Sequence, residues 1–260
     1  WIPIDTSGLT FGTNGFRLDF ADNAVDAPTS EGTEDTDNIG SDSSGEHNNW
    51  TSSGIVASDC SKIDSPENNH ATWNPLVFRR SGSRKPTFSE GNTKVAASGN
   101  NVSHTSSTIA SSGKHYAEFL VAGGSSITGP GVVRTMWDGG LAESYASNYG
   151  GSYMSGTGSR NYNATSDSQT GSGTNRIGIE VDFANDEVQY FICESDGTKT
   201  ANGDKLTNGD GIVFGGEGVF TASVHDTSSR TVEAFFEETD WYCTPNTDYL
   251  ALCTANLPEP

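Results

Sequence analysis

Glu180-Val181-Asp182 sets two carboxylates two residues apart in a segment that reads as a strand, so both project from one face. Acids spaced along one sheet face are what a glycoside hydrolase needs. One serves as nucleophile and another, further along the strand, protonates the leaving group. A third acid two or three residues further along would complete the set, but those positions hold Ala184 and Asn185, and Glu187 lies beyond a predicted turn. Leaving-group protonation then lacks its donor. The sequence reads as non-catalytic, with a polar outer strand face as the plainer account of Glu180 and Asp182. A carbohydrate-active enzyme, hydrolase or lyase, is the alternative. His47, His70, His104, His115 and His225 are scattered without metal-ligand spacing, and neither a G-x-S-x-G elbow nor a phosphate-binding Gly loop followed by Lys-Ser/Thr occurs.

Oxygen ligands for a hard cation are present in the acidic stretch. Asp35, Asp37, Asp42 and Asn48, with Asn49 beside it, could supply oxygens to Ca²⁺, although the spacing is not that of an EF-hand. No other cofactor is implied. Cys60, Cys193, Cys243 and Cys253 contain no C-x-x-C pair, so zinc has little support. They read as mostly free, buried thiols, with Cys243–Cys253 the best disulfide candidate. The one basic run, Arg79-Arg80-Ser81-Gly82-Ser83-Arg84-Lys85, is a solvated loop or a patch that pairs with an acidic neighbouring subunit.

A different chemistry is offered by the Gly/Ser-rich connection 138–174. Tyr145, Tyr149, Tyr153 and Tyr162 lie in it, with Trp137 at its entry and Asn148 and Asn161 among them. Aromatic faces stack on sugar rings and amides bond hydroxyls, so these seven residues form a candidate recognition surface. The competing account is that the tyrosines cover a sheet edge.

These groups must be positioned by strands. With 31 Gly and only 32% hydrophobic residues, long helices are disfavoured and short strands with many turns are favoured. Alternating segments recur at 87–95, 103–110, 115–121, 132–137, 176–183, 187–193, 219–225 and 231–236, which points to an antiparallel sandwich. The 176–193 hairpin is the best defined. Ile177, Ile179, Val181 and Phe183 share one face, and Arg176, Glu180 and Asp182 share the other. Residues 1–75 are turn-rich. Phe16, Leu18 and Phe20 suggest one strand over 15–20, and residues 31–42 read as a solvated acidic loop. The expected organisation is an extended segment, 1–75, lying on the sandwich or a neighbour, then a β-sandwich over 76–260.

With 14 Lys+Arg against 34 Asp+Glu, the 260-residue chain carries a formal charge of -20, which repels nucleic-acid phosphates and anionic membranes. No apolar run of about 18 residues offers a spanning helix. The N-terminus has neither the charge nor the apolar core of a secretory signal and no initiator Met, so the chain reads as a segment of a longer or processed protein.

Several motifs carry a resemblance. Ser112-Gly113-Lys114-His115-Tyr116-Ala117-Glu118-Phe119 resembles the "G-K-x-Y-x-E-v" strand of SPRY-type domains. Asn175 to Phe183 resembles their "d-x-I-G-v-x-l-D" strand, Glu187 to Ile192 the strand that pairs with it, and Val219 to Val224 their "f-P-a-v-s" strand without its Pro. A second set is similar to bacteriophage tail and virion proteins that carry SPRY-like domains. It comprises Gly12 to Phe20, Asp42 to Trp50, Ile63 to Leu76 with its Asp64-Ser65-Pro66, Phe88 to Val95 with Ser89-Glu90-Gly91-Asn92, and Tyr249 to Pro260. Where that family has "F-N-F-G", this chain has Ala234-Phe235-Phe236-Glu237-Glu238.

The resemblance implies an all-β, antiparallel, concanavalin-like, SPRY-type jelly-roll sandwich behind a loop-rich N-terminal segment. It implies a non-catalytic virion protein, part of a phage tail fibre or surface appendage, that presents loops for host-surface adhesion or for virion assembly. The partners implied are other virion proteins or copies of the same chain in a homo-oligomer, and a host receptor such as a glycan. A capsid decoration protein is a further alternative.

Overall fold

The computed structural model describes residues 6, 8–20, 24–25, 38–56, 68–80, 85–97, 99–123, 128–135, 151–155, 158–162, 165–167, 175–226 and 230–257. The chain divides into two compact units, Trp1–Asn69 and His70–Pro260.

In the first unit the expected strand over 15–20 shrinks to a single antiparallel bridge, Leu18 to Asp42. Its alternation faces no core. Phe16 and Phe20 are 43% and 60% exposed, and Phe20 takes a positive φ of 54°, which breaks a ladder. Phe16 instead rests on Trp50, ring centroids 4.9 Å apart.

The second unit is an antiparallel β-sandwich. Its first sheet runs β1(Trp73–Arg80), β4(Gly99–Ser107), β13(Gly218–Asp226), β6(Gly129–Arg134), β7(Ser152–Met154), β8(Arg160–Tyr162), β9(Thr165–Asp167) in spatial order. The second runs β12(Lys199–Ala201), β11(Glu187–Cys193), β10(Asn175–Asp182), β5(Lys114–Ala122), β14(Thr231–Phe235), β3(Lys94–Ala96), β2(Thr87–Ser89). A short parallel strand, β15(Leu250–Ala251), pairs with the start of β5.

Period-two alternation builds the core between them. Phe119, Ile177, Ile179, Val181 and Phe236 from the second sheet meet Phe220, Ala222 and Val224 from the first, and all are essentially inaccessible. Trp73 closes one end, 5.8 Å from the rings of both Phe119 and Phe236. Each such aromatic removes a large apolar area from water, the main favourable term for a sandwich of this size.

Two expectations are corrected. The single strand over 87–95 is a hairpin, β2 and β3, because Glu90, Gly91 and Asn92 take positive φ in succession and reverse the chain. The connection 138–174 is not one loop, since β7, β8 and β9 extend the first sheet from within it. β1 begins at Trp73 and contains Pro75. It is an edge strand with a register shift between Trp73 and Phe78, which is where a sheet tolerates a residue without an N–H.

Candidate functional site

The densest chemistry lies on the outer face of the second sheet. Alternation turns Tyr116 and Glu118 of β5, Arg176, Glu180 and Asp182 of β10, and Gln189, Phe191 and Cys193 of β11 away from the core. Register then sets Glu118 opposite Gly178, Tyr116 opposite Glu180, and Cys193 opposite Arg176. A polar outer face suggests solvent, but every residue of β10 is buried. The cover is the segment after β14. It makes a 3-10 turn at Glu238–Asp240 and crosses the face from Trp241 to Tyr249. Trp241 packs edge-on against Tyr116 at 4.7 Å and donates its indole N–H to the Phe235 carbonyl at 2.8 Å.

Glu118 is the centre of this layer and has no solvent exposure. Its Oε1 accepts from the Tyr116 hydroxyl at 2.9 Å and from the Cys243 amide at 2.8 Å. Its Oε2 accepts from Arg176 Nε at 2.7 Å and from the Tyr242 amide at 2.9 Å. The Arg176 guanidinium is held between two rings, 3.3 Å from the Phe235 centroid and 4.5 Å from that of Tyr242, and also donates to the Asp240 carbonyl. Burial, followed by the neighbouring Cys193 and Glu118, pushes the Tyr116 hydroxyl far above its ordinary value, so it stays neutral and donates to Glu118. Gly178 makes the arrangement feasible, because a Cβ there would stand 2.5 Å from the Tyr116 hydroxyl oxygen and 2.9 Å from Cys193 Sγ.

Further along β10, Glu180 accepts from Lys199 Nζ, and from the backbone and side-chain nitrogens of Asn246 at 2.7 Å each. Lys199 lies 4.1 Å from the Phe191 centroid and donates to the Thr244 carbonyl at 3.2 Å. Asp182 caps its own turn, accepting from the amides of Ala184 and Asn185 at 3.1 Å and from the Asn185 side chain at 2.8 Å. These two acids are 2% exposed, so the face is polar, as expected, but covered. They are structural acceptors that tie the covering segment and the hairpin turn to the sheet.

Where the cover ends, a cleft of about 550 Å³ remains open, with Lys114, Gln189, Lys205, Asn246 and Tyr249 around Glu180 and Asp182. Glu187 belongs to it. Sequence spacing placed this acid beyond the turn, yet antiparallel register sets it directly opposite Asp182, where it pairs with Lys205 at 2.8 Å. Burial first, and then the charges of Glu180, Asp182 and Glu187, push the Tyr249 hydroxyl up to about 12. The cleft therefore combines three carboxylates, two lysines, amides and an aromatic wall.

The other predicted residues fare differently. Trp137, Tyr145, Asn148 and Tyr149 lie outside the described residues. Tyr153 holds a strand position in β7, and Asn161 and Tyr162 hold strand positions in β8. Tyr162 is half-buried against the core and 6.0 Å from the Arg160 guanidinium. Among the calcium candidates, Asp35 and Asp37 lie outside the described residues. Asp42 and Asn48 do come together. Asp42 accepts from the amides of Arg17, Ser44 and Asn48 at 2.8–2.9 Å and from the Ser44 hydroxyl at 2.9 Å. Burial raises this carboxyl, but those hydrogen bonds outweigh it and hold Asp42 at about 2. Asn48 turns its NH₂ to the carbonyls of Thr13 and Gly15.

Cys193, Cys243 and Cys253 are free and buried, and Cys60 lies outside the described residues. The Cys243–Cys253 pairing is corrected. Cys243 clusters with Cys193 and Phe191, whereas Cys253 forms a bridge with His70.

No family model and no curated protein matches the chain. Solved structures do. Stonustoxin is 15% identical with a TM-score of 0.46 over 64% of this chain, which spans only 27% of the stonustoxin chain. The TRIM65 PSpry domain is 13% identical with a TM-score of 0.46, covering 64% of this chain and 89% of that one. The SPRY domain of human HERC1 is 12% identical with a TM-score of 0.45, covering 63% and 96%.

Proposed function

We propose that the chain is a non-catalytic structural module of a phage virion, part of a tail fibre or surface appendage, that binds a host-surface glycan or an adjacent virion protein. The observation that carries the non-catalytic reading is the state of Glu180 and Asp182, whose oxygens accept hydrogen bonds from the protein's own donors. A nucleophile or a proton donor must be free to reach substrate, and these are engaged in holding the fold. The virion assignment rests on the order of the five tail-protein motifs along the chain. The cleft beside Tyr249 is the surface proposed for a ligand. Rings for stacking and amides for hydroxyls suit a saccharide.

One observation favours the enzymatic alternative, namely that Glu187 faces Asp182 across the hairpin and completes a set of three acids in one cleft. A single experiment separates the two readings. The chain is screened on a glycan array and incubated with β-glucans and bacterial polysaccharides, with and without Ca²⁺. Retention without release of reducing ends is expected. Release that vanishes in Glu187→Gln and Glu180→Gln would establish the enzyme.

A further inference from the structure

Three groups on the outer face, the carboxylate of Glu118 and the sulfurs of Cys193 and Cys243, lie with their ligand atoms within 4.8 Å of one another. All three are buried, at 0%, 4% and 2% exposure. Such a cluster has two chemical options, a metal ion or a sulfur–sulfur bond. Glu118 argues against the metal. Each of its oxygens already accepts two donors, and the Arg176 guanidinium lies against one of them, so a cation there would face a positive charge and find no open lone pair. The sulfurs carry no such commitment. Cys243 touches the carbonyls of Thr198 at 3.3 Å and Gly197 at 3.8 Å, and Cys193 lies 3.4 Å from the Tyr116 hydroxyl.

We propose that Cys193 and Cys243 are a redox pair, whose disulfide fastens the covering segment 241–249 to the outer face of the second sheet. The sulfurs come from different parts of the fold. Cys193 is fixed in β11 at the register position opposite Arg176, in space that the missing Cβ of Gly178 leaves open. Cys243 sits in the irregular cover between Tyr242 and Thr244, both exposed, so a local lift of the cover opens it to an oxidant. Burial pushes the Cys193 thiol up; the Tyr116 hydroxyl beside it pulls the other way, and contact with Cys243 and the charge of Glu118 add to the rise.

The oxidant is a low-molecular-weight disulfide. The Cys243 thiolate attacks one of its sulfurs and expels the first small thiol, leaving a mixed disulfide. Cys193 gives up its proton and attacks the Cys243 sulfur, the mixed S–S bond breaks, and the second small thiol departs. Two protein thiols become one disulfide, and two electrons and two protons pass to the oxidant. The bond holds in place the segment that supplies the amide donors of Glu118 and the Asn246 and Tyr249 wall of the cleft.

The full chain is equilibrated in glutathione buffers from reduced to oxidised, quenched by acid and alkylation, digested and mapped by mass spectrometry. A peptide linked through Cys193 and Cys243 is expected, together with a rise in Tm of roughly 5 °C or more over the reduced form, from closure of a long loop. Cys253→Ser should keep both the link and the shift, whereas Cys193→Ala and Cys243→Ala should lose both while melting cooperatively when reduced. The proposal is overturned by persistent glutathione adducts without the link, or by links through Cys60 or Cys253. It is also overturned by stoichiometric Zn²⁺ uptake that shields both thiols from alkylation. The wild-type mapping does not depend on any variant folding.

Discussion

Glu118→Ala is the sharpest perturbation this structure offers. It removes one carboxylate and strands four donors, the Tyr116 hydroxyl, the Arg176 guanidinium and the amides of Tyr242 and Cys243. Summed singly, hydrogen bonds to a charged group at roughly 1.5–3 kcal/mol each would overstate the loss. The cover can lift and let water reach the amides, so the sum is not realised. The charge left behind is harder to relieve, because Arg176 is only 7% exposed and fixed between Phe235 and Tyr242. Breaking a buried pair from one side costs roughly 3–5 kcal/mol. For a unit of this size that corresponds to a fall in Tm of roughly 6–20 °C. Urea denaturation measures the stability, and native-state hydrogen exchange follows the Tyr242 and Cys243 amides, which should lose protection before the core strands do. The second arm is Arg176→Met, alone and combined with Glu118→Ala. Since the stranded charge is the larger part of the cost, the double variant should be at least about 1 kcal/mol more stable than the sum of the singles predicts. Additive effects, or a Glu118→Ala cost below about 1 kcal/mol, would refute the view that this ion pair holds the cover down.

Further expectations can be checked on the same protein. Gly178→Ala puts a methyl against the Tyr116 hydroxyl and Cys193 Sγ, so it should cost roughly 1–3 kcal/mol in urea melts and speed alkylation of Cys193. His115 is pushed below its ordinary 6.5 by burial, with a hydrogen bond to the Ser112 carbonyl pulling the other way. Its folded form therefore resists the proton that the unfolded chain accepts. The contribution is complete above pH 6.5 and declines as pH falls below it, so the urea midpoint should drop between pH 7 and pH 5. That drop should flatten in His115→Gln.

Much of the framework was legible in the sequence because it rests on local periodicity. The alternation of Ile177, Ile179, Val181 and Phe183, followed by a turn at Ala184-Asn185-Asp186, specifies a hairpin with one apolar face, and the structure has that hairpin in full register. The same logic fails where alternation has no core to face, as at Phe16 and Phe20, and where consecutive positive-φ residues at 90–92 turn a strand-like run back on itself. Periodicity also reports only which side of a strand is apolar. It says nothing of what will lie across from the other side.

That other side is where tertiary structure decided the outcome. Glu118, Arg176 and Glu180 have the spacing of solvated positions, yet they are buried because a segment some 60 residues further along than Glu180 closes over them. Glu187 looked remote from Asp182 and is its cross-strand partner. Cys243 looked matched to Cys253 and lies with Cys193. Each of these is a long-range juxtaposition, fixed by strand register and by the path of the 237–249 segment over the sheet. A chain encodes such contacts only through the whole fold, since the free energy that holds them comes from burying charge and donors together in one layer.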